Sequence, residues 1–200
     1  DWSSDVCSSD LDLAFIGLQQ LGYLDGLVLS EKGNWAANLC TSIVLELAEI
    51  IESGMLEKAS AEELVAVVAS ISGDSHRAYL SSKKSNPLSK EQLDRISEIL
   101  ERVRLASMPG VSEERSLVPD AAYTAGVWLH SESWQEFRSL LIFSGVAEGD
   151  AARLLTQTAE HLNQLTRLAD THSALALRAE EAKRRILRPP LTDVLNFESV

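Results

Sequence analysis

Cysteine is close to absent from this chain: Cys7 and Cys40 are its only two in 200 residues. Two thiols cannot build a disulfide framework or a four-ligand zinc site, so a reducing cytoplasm is the expected location. Glycine (10) and proline (5) are also scarce, which argues against low-complexity and wholly disordered chains. No apolar run approaches the roughly 20 residues that cross a bilayer, so no membrane partner is expected. The start of the chain is acidic and Ser-rich and does not resemble a secretory signal. Positive charge is short as well, with 18 Lys and Arg against 30 Asp and Glu, a formal net charge of −12. Autonomous nucleic-acid binders usually carry a basic face, and this chain alone should bind nucleic acid weakly.

Catalytic signatures are missing too. There is no Gly-x-x-x-x-Gly-Lys-Ser/Thr loop and no Asp-Glu-x-His, so nothing cradles phosphates or holds magnesium for nucleotide hydrolysis. His76, His130, His161 and His172 fall in no His-Glu-x-x-His or Cys-x-x-Cys spacing. His130-Ser131-Glu132 has the opening of a deaminase signature without its Pro-Cys-x-x-Cys. No serine occupies a Gly-x-Ser-x-Gly elbow. Cys40 falls among apolar residues of a predicted helix and reads as a buried packing residue. Independent catalysis, a cofactor and a metal are not expected of this chain.

What is present is helix after helix. Residues 1–11 stand apart: Asp1-Trp2-Ser3-Ser4-Asp5-Val6-Cys7-Ser8-Ser9-Asp10-Leu11 looks like the translation of a common short-read sequencing adapter, with a genuine Ser/Asp-rich tail as the alternative. The natural chain is therefore expected to begin near Asp12, in mid-gene. Without Asp1, Asp5 and Asp10 the formal charge goes from −12 to −9. Residues 13–21 are largely apolar and stop at Gly22; turn chemistry at 23–26 and a strand-like 27–29 follow. Residues 12–32 thus suit the end of a winged helix. Trp35, Leu39, Ile43, Leu47, Ile50 and Ile51 recur at helical spacing up to Gly54.

Three capping boxes mark later helix starts, at Ser60/Glu63, Ser89/Gln92 and Ser133/Glu136. Pro119 suits the first position of another helix, running through Trp128. A long helix is predicted over 148–169 and a further one over 173–187, before Pro189-Pro190. Loops are expected over 73–88, with a basic tip at Lys83 and Lys84, and over 107–118. The tip reads as a solvated loop, with a phosphate contact as the alternative. The fold class is all-α: a multi-helix bundle over 33–200 preceded by the end of a winged helix.

Several fragments, in order, carry a family likeness. Leu21-Gly22-Tyr23-Leu24-Asp25, Leu29-Ser30-Glu31-Lys32-Gly33 with Ala36-Ala37, and Leu47-Ala48-Glu49-Ile50 before Ser53-Gly54 come first. Ser60-Ala61-Glu62-Glu63-Leu64 with Ala69-Ser70, Trp128 with Trp134, Glu148-Gly149 with Arg153, and Glu180 through Arg188 follow. Together they resemble the DSHCT domain, the C-terminal helical domain of superkiller-type DExH-box ATP-dependent RNA helicases. Departures from the family pattern at Asn34, His76, Ser131, Gln157 and residues 191–193 point to a divergent bacterial member.

The resemblance implies an accessory domain that packs on its own helicase core in cis and guides the unwound single strand, RNA or alternatively DNA. ATP and Mg would belong to the motor, outside this chain. It also implies that the helix opening at Glu148, the ratchet helix of such domains, faces the strand. That helix splits by face: Leu155, Ala159, Leu162, Leu165 and Ala169 form an apolar stripe, and Arg153, Gln157, Glu160, Gln164 and Arg167 a polar one. Arg153, Gln157 and Arg167 are the candidate strand contacts, while Trp128 and Trp134 are expected in the bundle core. The alternative is a structural or protein-docking bundle that never touches nucleic acid.

Overall fold

The computed structural model describes the backbone of residues 2–82, 85–106 and 116–192, with side chains from Asp10 onward. Among these residues the chain is all-α apart from one two-stranded hairpin. The expected helices at the N-terminus, after Ser60, Ser89, Pro119 and Ser133, and over the last third are all present. The basic tip at Lys83 and Lys84, and most of the loop over 107–118, lie outside the described residues.

Helix α1 (Trp2–Gln20) stops before Gly22, whose positive φ of 77° turns the chain into the hairpin. It starts well before the predicted 13, because extending an existing helix costs far less than nucleating one. Strands β1 (Leu24–Asp25) and β2 (Val28–Leu29) pair antiparallel, Leu24 opposite Leu29. Helix α2 (Glu31–Ala36) follows, capped by the Ser30 side chain, which accepts from the Gly33 amide.

The hairpin and α2 are fastened to α3 (Val44–Glu52) by buried charge. Glu49 is only 4% exposed and meets Lys32 on one side and Arg102 of α5 (Lys90–Leu105) on the other, the latter at 2.8 Å. Lys32 also donates to the Leu21 carbonyl and lies over the Tyr23 ring. Burial, reinforced by Glu49, pushes the Tyr23 phenol far above its ordinary range, so it stays neutral; its hydroxyl donates to the Leu45 carbonyl.

Helix α4 (Ala61–Ser72) is the axis of the bundle, with Leu64 through Ile71 all buried. A helix apolar on every side must be surrounded. Helices α6 (Pro119–His130), α8 (Glu148–Leu165) and α9 (Ser173–Ile186) pack on it, and α5 covers α3. Ala66 and Ala69 of α4, with Ala121, Ala122 and Ala125 of α6, keep the α4–α6 crossing narrow. The short helix α7 (Trp134–Phe143) packs on α6 and α8 through the buried Phe137 and Leu141.

Three sequence expectations need correction. The apolar repeat from Trp35 to Ile51 is not one helix: α2 ends at Ala36 and α3 begins at Val44. Its apolar residues are nonetheless all buried, so the spacing recorded a buried face across a chain break. Cys40 falls in that break and is exposed, not packed. The helix over 148–169 ends at Leu165 and tightens into a 3-10 turn, Thr166–Leu168, which carries Arg167 off the α8 face and leaves Ala169 exposed.

The boxes at Ser60 and Ser89 are reciprocal, but the third is half formed. Ser133 accepts from the Glu136 amide, while the Glu136 carboxylate reaches one residue further back, to the Glu132 amide at 2.7 Å.

Candidate nucleic-acid interface

Helix α8 has no side-chain cap, and its first residue is held from outside instead. Glu148 accepts from Trp134 Nε1 at 2.6 Å and from Arg138 Nε at 2.8 Å. The Arg138 bond, then the Trp134 bond, holds the Glu148 carboxyl below the usual carboxylate range. A carboxylate in the first turn also suits the positive end of the helix dipole.

Trp134 in turn stacks edge-on against Trp128, with ring centroids 5.3 Å apart, and both contact Phe137. Trp128 is fully buried and donates to the Ile186 carbonyl at 2.8 Å. The Arg188 guanidinium lies 3.9 Å above the Trp128 ring and donates to the Trp128 carbonyl and, at 2.6 Å, to the Ser131 carbonyl. Trp128, Trp134, Glu148 and Arg188, drawn from α6, α7, α8 and the segment after α9, therefore meet in one cluster at the start of α8. Both tryptophans serve the core, as expected.

The outer face of α8 divides into two halves. In the first, Arg153 and Glu160 are exposed and Gln157 is half-buried, at the i, i+4, i+7 spacing of one helix face. Arg153 has no carboxylate partner among the described residues. Other basic residues that contact α8 are paired with carboxylates: Arg77 with Asp150 at 3.1 Å and with Asp74, Arg138 with Glu148, and Lys183 with Glu180.

The second half is covered. His161 Nδ1 lies 2.7 Å from Thr41 Oγ1, and Gln164 Oε1 accepts from the Cys40 amide at 3.2 Å. Arg167, on the 3-10 turn, donates to Cys40 Sγ at 3.2 Å. On the opposite flank Lys183 of α9 donates to Asn163 Oδ1. Of the three candidate contacts, Arg153 and Gln157 share one open face, whereas Arg167 sits at the far end, beside the 40–41 segment. Sequence reasoning missed Cys40, Thr41 and His161 here, since no local pattern joins positions some 120 residues apart.

A separate groove of about 510 Å³ lies between α4, α6 and α7, lined by Glu62, Tyr123, His130 and Glu136 among others. Its carboxylates are engaged internally: Glu62 pairs with Arg185 at 2.5 Å, which lowers its pKa, and Glu136 serves α7. An acidic groove is a poor host for a polyanion. Among the described residues no cluster of His, Cys, Asp or Glu could hold a metal ion, and no helix is long and apolar enough to cross a membrane.

A search of curated proteins finds no match to the chain. The family model described as DSHCT (NUC185) domain matches residues 26–193. With most of its length so matched, the chain belongs to the DSHCT family, the C-terminal accessory domain of superkiller-type helicases.

Proposed function

We propose that this domain guides the single strand delivered by an ATP-dependent RNA helicase motor, using the open face of α8. The observation that supports this most is Arg153: an exposed guanidinium with no carboxylate partner among the described residues, on a helix whose start is held by Trp134 and Arg138. Arg contacts phosphates or stacks on unstacked bases, and Gln157 bonds either, neither demanding one sequence. That tolerance suits a translocating enzyme. RNA is the proposed strand, with DNA as the alternative. ATP and Mg act in the motor, which the bundle braces in cis, and the cytoplasm is the proposed location.

Residues 12–32 are proposed as the end of a winged helix that leads into the bundle, and residues 1–11 as translated adapter. The exposed Leu13, Ile16, Leu27, Val28 and Leu29 fit an N-terminal piece that packs against further protein.

Replacing Arg153 by Ala in the intact helicase should reduce RNA-stimulated ATP hydrolysis and unwinding several-fold, while the unfolding free energy stays within about 0.5 kcal/mol of wild type. Unchanged unwinding with normal RNA affinity would sink the assignment. One observation favours the second reading, a protein-docking bundle: Leu140, Ile142 and Phe143 stand exposed toward the end of α7, Phe143 at 92%. Those residues lie on α7, apart from the open face of α8, so docking there leaves the strand face available.

A further inference from the structure

We propose that the Cys40–Thr41 segment is a positioning element of the strand interface, and that Cys40 aims Arg167 at the phosphate backbone. The proposal rests on α8 facing a single strand. Leu39 and Ile43, 5% and 3% exposed, already anchor this stretch to the core. The polar bonds between them are not needed to seat it. They act instead on α8 and its extension: Thr41 engages His161, the Cys40 amide engages Gln164, and Cys40 Sγ receives Arg167.

Hydrogen bonds of this kind, two exposed and one part-buried, contribute modestly to folding, and their effect is to narrow the rotamers of long side chains. Only Nη1 of Arg167 is spent on the sulfur, so the remaining N–H groups are available to a phosphate oxygen. Arg153 lies near the start of α8, and Arg167 lies 14 residues on, in the 3-10 turn beyond its end. In this proposal the two guanidinium groups are separate strand contacts, the second held in place by Cys40. Ordering Arg167 before the strand arrives removes part of the entropy cost of binding it.

The test is the affinity of the 200-residue chain for a fluorescent single-stranded oligouridine of about 16 nucleotides, measured across low salt concentrations. Cys40→Val should weaken binding about threefold and lower the slope of log affinity against log salt toward that of Arg167→Ala, by about 0.7 for one lost phosphate. In the Arg167→Ala background it should have no further effect, and Cys40→Ser, which keeps a short acceptor, should restore most of the binding. The oligouridine should also slow alkylation of Cys40 by N-ethylmaleimide. If Arg153→Ala weakens binding while Cys40→Val does not, or if the Cys40 and Arg167 effects simply add, the strand face stands and the positioning role is overturned. If Arg153→Ala leaves binding unchanged, the strand reading fails first and this proposal falls with it.

Discussion

Glu148 does three jobs with one carboxylate: it accepts the Trp134 indole N–H, pairs with Arg138 and faces the positive end of α8. Its pKa lies below the usual carboxylate value near 4.5, held there first by Arg138. A carboxyl with a depressed folded pKa stabilises the fold above its unfolded pKa, and that contribution fades as pH falls through the folded value. The side chain is 42% exposed, so solvent screening limits the ion pair to well under 1 kcal/mol. Glu148→Gln keeps an acceptor for Trp134 and loses the charge. It should lower stability by about 0.5 kcal/mol at neutral pH, with the gap to wild type closing in acid, as pH falls through the depressed folded pKa. Paired denaturant titrations at the two pH values check this. A gap that persists in acid would mean that the charge is not what matters.

At the scale of elements, the N-terminal unit is the most finely fitted part. A Cβ on Gly33 would lie 2.2 Å from the Tyr23 carbonyl oxygen, a backbone atom with no freedom to retreat. Gly33→Ala should therefore cost more than about 2 kcal/mol in thermal or denaturant unfolding, despite alanine's better helix propensity. A neutral or stabilising effect would show that α2 does not dock against the hairpin as described. That close approach had no sequence signal, because a glycine inside a helix looks only like a weak helix former. The caps at Ser60 and Ser89 were legible, since both partners lie within one turn. At Ser133 the spacing was right, yet Glu136 chose the Glu132 amide, a difference of one residue that no pattern resolves.

The interruption between α2 and α3 was illegible for a deeper reason. Leu39 and Ile43 are buried and spaced as in a helix, so the apolar period continues where the helix does not. The same interruption frees Cys40 and Thr41 to reach α8, which is why half of the candidate interface could not be foreseen. The other half could: Arg153 and Gln157 lie on the side of α8 opposite Leu155 and Leu162, as their spacing requires.

At the scale of the molecule, the formal charge of −12 and the proposed strand contact pull in opposite directions. A net acidic surface repels a polyanion at long range, within about 10 Å at 0.1 M salt. Strand binding, as proposed, would therefore rest on short-range contacts on one face, and the proposed motor would supply most of the affinity. The groove between α4, α6 and α7, lined by Glu62 and Glu136, offers a strand no basic lining comparable to Arg153. The proposed surface rests on the fixed start of α8 and on Arg153, which has no carboxylate partner among the described residues.

The path of the strand is the most direct test. A single-stranded RNA carrying 4-thiouridine, bound to the helicase that contains this domain and crosslinked by long-wave ultraviolet light, would report the contacted peptides by mass spectrometry. The account predicts crosslinks on α8 around Arg153 and Gln157, with weaker ones at the Cys40–Thr41 segment. Crosslinks confined to other surfaces, with none on α8, would contradict it.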